Sequence, residues 1–336
     1  MAERFANPLL AAPTRPLPSQ VAIIGAGTIG PDIGYYLKSA LPAMKLTLVD
    51  IAQPALERAL ARCREYAAKA VARGKMDPAR AAAVTADIVT TQDYALLADC
   101  DWVIEAATEN LALKRQIFAG VEAVVSPQCL VTSNTSSLPA ARIFAGMREP
   151  QRATVTHFFA PAWRNPVVEV IDWPGASRET LESLRWLFAM TGKVPLRTAD
   201  AVCFMLDRVF DNWCNEAALL LDRASAAEVD SVAADYVHAG PFFVLNLARG
   251  NPIITETNTL QAEEEGDHYR PAPVFRSVDT WLTVAPGQRV GADADTTAAV
   301  RDRLLGVLFS QSVDILDRGI GAAADLDLGC RLALGF

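Results

Sequence analysis

The chain has 336 residues, 51% of them hydrophobic, and a formal net charge of −8. That is enough for one large or two modest domains with an ample core, and the acidic balance argues against a nucleic-acid partner. The six cysteines lack the paired spacing typical of a metal site, so we expect reduced thiols, no metal and a cytoplasmic location. No run of eighteen apolar residues occurs, so no membrane segment is expected.

The beginning of the chain predicts a dinucleotide-binding unit. Residues 1–19, with four prolines, are interpreted as an irregular N-terminal arm rather than a signal peptide. After them come a short apolar strand, a glycine-rich turn, a helix and a second strand that ends in an acid, which is the order of a Rossmann-type βαβ unit. These pieces occupy residues 21–24, 25–30, 33–40, 46–49 and 50.

Three glycines and one acid within this unit predict the cofactor. Gly25 would permit the tight turn, Gly27 would let a pyrophosphate approach the backbone, and Gly30 would let helix and strand pack closely. Asp50 would accept the ribose hydroxyls and repel a 2′-phosphate, which favours NAD over NADP. Asp32 is unusual so close to the expected phosphates, where it would weaken cofactor binding.

A helix of about twenty residues is predicted from Pro54 to Arg73, and Gly74 ends it. Four basic side chains fall within an arc of roughly 60° on this helix. They form either an ordinary solvated face or a phosphate-binding stripe for an anionic part of the substrate, and the residues alone leave both interpretations open. The four are Arg58, Arg62, Lys69 and Arg73.

A hydroxyl, an imidazole and a carboxylate follow in this order along the chain. A predicted strand at 130–132 runs into the segment 133–138, Ser-Asn-Thr-Ser-Ser-Leu, and His157 lies twenty-one positions after Ser136. Glu169 lies twelve residues after His157 on an alternating run that returns like a second strand. These are the groups that oxidation of an alcohol needs besides a hydride acceptor.

The pattern becomes helical after about residue 198. A motif at 207–210 and 221–223 recurs 95 residues later, which indicates a repeated helical unit. We therefore predict an α/β Rossmann-type domain followed by an all-α C-terminal domain with a duplicated helical unit. The predicted parts are the NAD-binding domain at 20–198, a first helical unit at 199–250, a polar connector at 251–298 and a second, truncated helical unit at 299–336.

With these motifs in place, the chain resembles the L-3-hydroxyacyl-CoA dehydrogenase family. The resemblance runs from Val21 to about Asn246 and again from Arg301 to Phe336, and it is most specific around the serine segment and His157. It implies NAD-dependent oxidation of an L-3-hydroxyacyl-CoA to a 3-oxoacyl-CoA, as in beta-oxidation, in a cleft between the two domains. It also implies a homodimer, although the two helical units of this chain could instead pack together in a monomer.

Carried over by position, the resemblance assigns a role to each candidate residue. His157 becomes the general base, Glu169 the residue that orients it, and Ser136 a hydrogen-bond donor to the substrate oxygen. The basic helix matches the segment that meets coenzyme A in the family. Positions that contact the cofactor in the family are matched by Asp50, Glu109, Lys114 and Asn134.

The chain departs from the family pattern around this site. Asp207 stands where the family has an active-site Asn, and an ionised carboxylate there would oppose the negative charge that develops on the substrate oxygen. Ala160 replaces an Asn, and Trp163 and Arg164 replace smaller, apolar residues. We interpret Trp163 and Arg164 as acyl-specificity candidates for a polar or dicarboxylic chain, with a simple packing change as the alternative. Two other functions stay open: oxidation of a free hydroxy acid or carnitine-like substrate, and a catalytically weak paralogue that binds NAD or acyl-CoA.

Overall fold

The structure is a computed structural model that describes residues 13–336. It divides into two compact units, Met1–Arg197 and Thr198–Phe336. The predicted N-terminal arm lies largely outside the described residues, and residues 13–19 form neither helix nor strand. Across residues 13–336, no helix is long and apolar enough to cross a membrane.

The first unit is built on a sheet that has eight strands within the described part of the chain, in the order β3-β2-β1-β4-β5-β6-β7-β8. Strands β1 to β6 pair in parallel, and β7 pairs antiparallel with β6. The strands are Gln20–Ile24 (β1), Lys45–Val49 (β2), Ile88–Thr91 (β3), Trp102–Glu105 (β4), Leu130–Ser133 (β5), Ala153–Phe158 (β6), Val167–Asp172 (β7) and Val194–Ala199 (β8). The strand order reverses between β1 and β4, so the predicted Rossmann-type fold is confirmed.

Helices cover this sheet, and local capping fixes where several of them begin. The Asn110 side chain accepts from the N–H of Leu113 at 2.9 Å, and the Ser177 side chain accepts from the N–H of Thr180 at 3.1 Å. Every residue of β4, β5 and β6 is buried, as expected for parallel strands covered on both faces. The helices are Gly30–Ala40 (α1), Gln53–Ala72 (α2), Pro78–Thr85 (α3), Leu111–Val124 (α4), Ala140–Ile143 (α5) and Arg178–Met190 (α6).

The second unit is helical, as predicted. The two copies of the repeat lie on α7 and α11, which share one apolar core that includes Trp213 and Leu304. Helix α7 begins one residue before Asp207, whereas α11 begins eight residues before the equivalent Asp302. The second copy therefore has about two additional helical turns before the motif. The helices are Leu206–Leu219 (α7), Ala226–Ala233 (α8), Pro241–Ala248 (α9), Asn251–Glu265 (α10), Ala294–Asp317 (α11) and Ala323–Gly329 (α12).

The segment 251–298 differs from the predicted polar connector because it begins with the fifteen-residue helix α10. The buried face of α10 is largely polar, so it lacks the apolar period that predicts a helix. Its buried amides bond to α7: the Asn258 side chain donates to Asn212 at 2.9 Å, and the Asn212 side chain donates to Gln261 at 3.1 Å. Hydrogen bonds between buried amides therefore join α10 to α7, where an apolar stripe would be expected.

The acidic run at the end of α10 is also structural. The fully buried Arg208 of α7 donates to Glu265 at 2.7 Å and to Asp314 of α11 at 2.8 Å. Burial acts to raise the pKa of Glu265, but hydrogen bonds from Arg208 and Arg318 outweigh it and lower that pKa to about 2. This ion-pair cluster joins α7, α10 and α11.

Candidate active site

The register of β6 and β7 brings His157 and Glu169 together. The two residues are direct partners in the antiparallel pair, and Nδ1 of His157 lies 2.8 Å from Oε2 of Glu169. His157 is 4% exposed and Glu169 is fully buried. A carboxylate on Nδ1 selects the tautomer whose basic lone pair is on Nε2, and it stabilises the imidazolium that forms when Nε2 takes a proton.

Asn134 ties the end of β5 to the strand that carries His157. The side-chain oxygen of Asn134 accepts from the backbone N–H of Phe158 at 2.9 Å, and the backbone N–H of Asn134 donates to the carbonyl of Glu105 at 2.7 Å. The side chain that the sequence places near the cofactor therefore also holds the backbone next to the imidazole. Ser136 is half-buried in the loop that follows β5.

A buried charge cluster lies beneath the serine loop. Lys114 is 1% exposed, and its Nζ contacts Glu105 at 2.8 and 3.0 Å and Glu109 at 3.1 Å. Glu109 also accepts from the hydroxyls of Thr135 and Ser137. Lys114 and Glu109, which the sequence assigns to cofactor contact, are thus partners of one another.

Opposing effects set the charges of this cluster. Burial acts to lower the pKa of Lys114, but Glu105 and Glu109 outweigh it, so the pKa is raised. Burial acts to raise the pKa of Glu109, but the Lys114 ammonium and neighbouring hydroxyls outweigh it, so that pKa is lowered. The ammonium and the Glu109 carboxylate therefore stay charged. Glu105 is not among the residues predicted for the site, although the sequence shows an acid at the carboxyl end of this buried strand.

The glycine turn is tightly packed at Gly25 and Gly30 and uncovered at Gly27. Gly25 has φ +108°, and a Cβ there would lie 2.4 Å from the carbonyl oxygen of Ala106. A Cβ at Gly30 would lie 2.0 Å from the carbonyl oxygen of Gly25. Gly27 is exposed, and a Cβ there would meet nothing within 4 Å, so its backbone is open to an approaching group.

Asp50 is bound into the same turn from the end of β2. Its Oδ2 accepts from the N–H of Ala26 at 2.8 Å, and its Oδ1 accepts from the N–H of Ala52 at 2.9 Å. Each carboxylate oxygen has a second lone pair that can accept from a ribose hydroxyl. Because α1 begins directly after the turn, its N-terminus offers backbone N–H groups to a pyrophosphate.

Asp32 is turned into the contact between α1 and α2. It is 5% exposed, the Tyr66 hydroxyl donates to it at 3.0 Å, and Arg62 lies 3.7 Å away. Burial raises the pKa of Asp32, and the bonds from Tyr66 and the charge of Arg62 oppose that rise. These partners account for an acid beside the phosphate-binding turn.

The four members of the predicted basic stripe have different surroundings. Arg62 donates to the carbonyl of Thr28 at 2.7 Å and so lies at the glycine turn. Lys69 pairs with Glu65 at 2.5 Å on the surface of α2. Arg58 and Arg73 are exposed. The stripe is thus divided between the turn and the solvated face.

The loop between β6 and β7 carries the residues that depart from the family pattern. The ring of Trp163 lies 5.2 Å from that of Tyr66 and 6.2 Å from that of Tyr35, centroid to centroid. This placement on α1 and α2 favours the packing interpretation for Trp163. Ala160 and Arg164 are exposed. In the second unit, Asp207 is half-buried in the first turn of α7.

A glycine turn and an acid at the carboxyl edge of a parallel sheet, together with a buried histidine–carboxylate pair, define a nicotinamide-dinucleotide-dependent dehydrogenase. A sequence profile of the 3-hydroxyacyl-CoA dehydrogenase NAD-binding domain matches residues 20–201, more than half of the chain. The chain therefore belongs to the 3-hydroxyacyl-CoA dehydrogenase family, and its cofactor is NAD.

Solved structures agree with this assignment. The 3-hydroxybutyryl-CoA dehydrogenase of Escherichia coli K12 shares the fold with a TM-score of 0.81, 22% identity, and coverage of 94% of this chain and 89% of that chain. The (S)-3-hydroxybutyryl-CoA dehydrogenase of Ralstonia eutropha is 28% identical with a TM-score of 0.71, and the match covers 77% of this chain and 93% of that chain. FadB2 of Mycobacterium tuberculosis is 25% identical with a TM-score of 0.73, and the match covers 78% of this chain and 93% of that chain.

Proposed function

We propose that the chain catalyses the NAD-dependent oxidation of an L-3-hydroxyacyl-CoA to the 3-oxoacyl-CoA. The observation that carries this proposal is the buried pair of His157 and Glu169, 2.8 Å apart, on neighbouring strands of the sheet that carries the glycine turn. The similarity to the (S)-3-hydroxybutyryl-CoA dehydrogenase of Ralstonia eutropha supports a 3-hydroxyacyl thioester as the substrate class.

The chemistry follows from the protonation states of the pair. Bound NAD⁺ supplies the hydride acceptor. His157 takes the proton of the 3-hydroxyl at Nε2, and Glu169 stabilises the resulting imidazolium through Nδ1. Ser136 donates a hydrogen bond to the substrate oxygen and orients it towards Nε2. Burial of the pair keeps water from screening this ion pair while it forms.

Other residues are suited to the remaining parts of both ligands. Gly27 and the start of α1 would hold the pyrophosphate of NAD, and Asp50 would hold a ribose. Arg58 and Arg73 are exposed cations suited to the phosphates of coenzyme A. Arg164, exposed on the loop after His157, would favour a carboxylated or otherwise polar acyl chain.

A substrate panel tests this function. The purified chain is assayed with NAD against straight-chain and dicarboxylic 3-hydroxyacyl-CoAs, a free 3-hydroxy acid and carnitine, following absorbance of the reduced cofactor. We expect the CoA thioesters to be oxidised with the highest kcat/KM and His157→Gln to abolish turnover. Equal kcat/KM for the free acid would contradict the coenzyme A part, and NAD binding without any turnover would favour the weak paralogue.

Arg164→Ala tests the acyl part of the proposal in the same panel. If Arg164 recognises a distal carboxylate, the variant should lose kcat/KM for the dicarboxylic thioesters by about tenfold or more and keep it for straight chains. Equal losses for both substrate types would show a packing role instead.

The internal pairing of the repeated unit bears on assembly. Because α7 and α11 share a core within one chain, they support a monomer in which the two helical units pack together, with the homodimer of the family as the alternative. The native mass in dilute solution distinguishes the two.

A further inference from the structure

The loop 159–166, which joins His157 on β6 to Glu169 on β7, is held by a buried lysine. Nζ of Lys193 donates to the carbonyl of Ala162 at 2.5 Å and also to the carbonyl of Asn165. Lys193 is 6% exposed and lies directly before β8. One ammonium group therefore joins two carbonyls of a loop that lies about thirty residues earlier in the sequence.

The surroundings of this ammonium are unusual for a buried charge. Nζ lies 4.5 Å from the ring centroid of Tyr36 and 5.9 Å from that of Phe158. Among residues 13–336, no carboxylate lies within ion-pair distance of Lys193. Burial lowers the pKa of Lys193 to about 8. A buried ammonium without a counter-ion normally destabilises a fold, so its stabilising partners here are the loop carbonyls and the two rings.

The same stretch of loop is held from its other side by α1 and α2. The backbone N–H of Ala162 faces the Asp32 carboxylate and acts to lower its pKa. Ala162 is fully buried, and the neighbouring Trp163 ring packs against Tyr66. The peptide groups around Ala162 are thus fixed on one side by an acid and on the other by Lys193.

Phe158 connects the clamp to the candidate site. Its ring lies beneath the ammonium, its N–H is held by Asn134, and it follows His157 directly in the chain. Because β6 and β7 continue into opposite ends of the clamped loop, a shift of the loop would disturb the register that pairs His157 with Glu169.

We propose that Lys193 is a positioning residue for the proposed reaction. Its ammonium fixes loop 159–166, and the fixed loop holds the imidazole of His157 and the carboxylate of Glu169 in register. The inference rests on the proposed function for its kinetic consequence, but its structural consequence, an ordered loop, is measurable without any substrate.

Lys193→Met tests the clamp because methionine keeps the volume and removes the donor. We expect kcat to fall at least tenfold, since small errors in the position of a general base slow proton transfer, while KM for NAD stays within twofold. Lys38→Met is the matched control: Lys38 is also buried and also donates to two carbonyls, those of Pro42 at 2.6 Å and Met44 at 2.7 Å. Lys38 holds the turn between α1 and β2, so its variant should keep kcat within twofold.

Hydrogen exchange of the loop gives a readout that is independent of activity. The backbone amides of residues 159–165, apart from Pro161, should exchange at least tenfold faster in Lys193→Met than in the wild type, and Lys38→Met should leave them unchanged. If Lys193→Met does not fold, two other variants replace it: Lys193→Arg, which keeps the charge and the donors, and Lys193→Gln, which removes the charge. We expect Lys193→Arg to retain a higher kcat than Lys193→Gln.

Three outcomes would overturn the proposal: unchanged exchange of the loop, an unchanged kcat in Lys193→Met, or equal losses of kcat in the Lys193 and Lys38 variants. A wild type that oxidises no hydroxyacyl-CoA removes the proposed function instead, and the exchange experiment still decides whether Lys193 orders the loop.

Discussion

Replacing Glu169 by Gln tests the catalytic pair most directly. The substitution keeps the shape of the side chain and a hydrogen bond to Nδ1, but it removes the charge that stabilises the imidazolium. Because the bond is 2.8 Å long and Glu169 is fully buried, solvent cannot substitute for the lost carboxylate. A hydrogen bond to a charged group contributes about 1.5 to 3 kcal/mol, so kcat should fall about 10- to 150-fold.

The assay is steady-state oxidation of a 3-hydroxyacyl-CoA that the substrate panel identifies. KM for NAD should stay within about twofold because the glycine turn is untouched. Asp172→Asn is the matched control, since Asp172 ends the same strand and pairs with Arg197 at 2.9 Å away from the histidine. A folded Glu169→Gln protein with a kcat within twofold of the wild type would refute the role assigned to the pair.

Two further predictions concern the second unit. The folded pKa of Glu265 is about 2 against an ordinary value of 4.5, so its carboxylate stabilises the fold above about pH 4.5 and loses that effect as the pH falls towards 2. The difference in unfolding free energy between wild type and Glu265→Gln should therefore shrink from about 3 kcal/mol at pH 6 to near zero at pH 2, and a difference that does not vary with pH would contradict the ion-pair cluster. Asp207→Asn should raise kcat on the order of tenfold if the Asp207 charge opposes the developing oxyanion, whereas an equal or lower kcat would exclude that opposition.

The sequence predicts the sheet around the cofactor turn because its strands are short, apolar and buried on both faces. The sequence pattern does not predict strand β3, Ile88–Thr91, because this strand lies at the edge of the sheet and is only partly buried. Helix α10 is not predicted because four of its five buried residues are polar, and some of their amides bond to α7. Periodicity detects burial only where the buried side chains are apolar.

The candidate site divides in the same way. His157 and Glu169 are predictable because they lie on two strands that follow one another in the chain, twelve residues apart, and the antiparallel pairing of those strands places them opposite one another. The contacts of Glu105 and Lys193 are not predictable from the sequence pattern, because each side chain acts through partners that only the fold brings beside it.

The hydrogen bonds of Asp50 carry a consequence for redesign of cofactor preference. The usual route towards NADP exchanges this acid for a small or basic residue that tolerates a 2′-phosphate. In this chain the exchange would also remove the acceptors of the Ala26 and Ala52 N–H groups and so loosen the turn that approaches the pyrophosphate. If Asp50 binds the ribose as proposed, discrimination between the two nucleotides and the rigidity of the glycine turn depend on the same side chain. A variant with altered preference will therefore need replacement acceptors as well as a new charge.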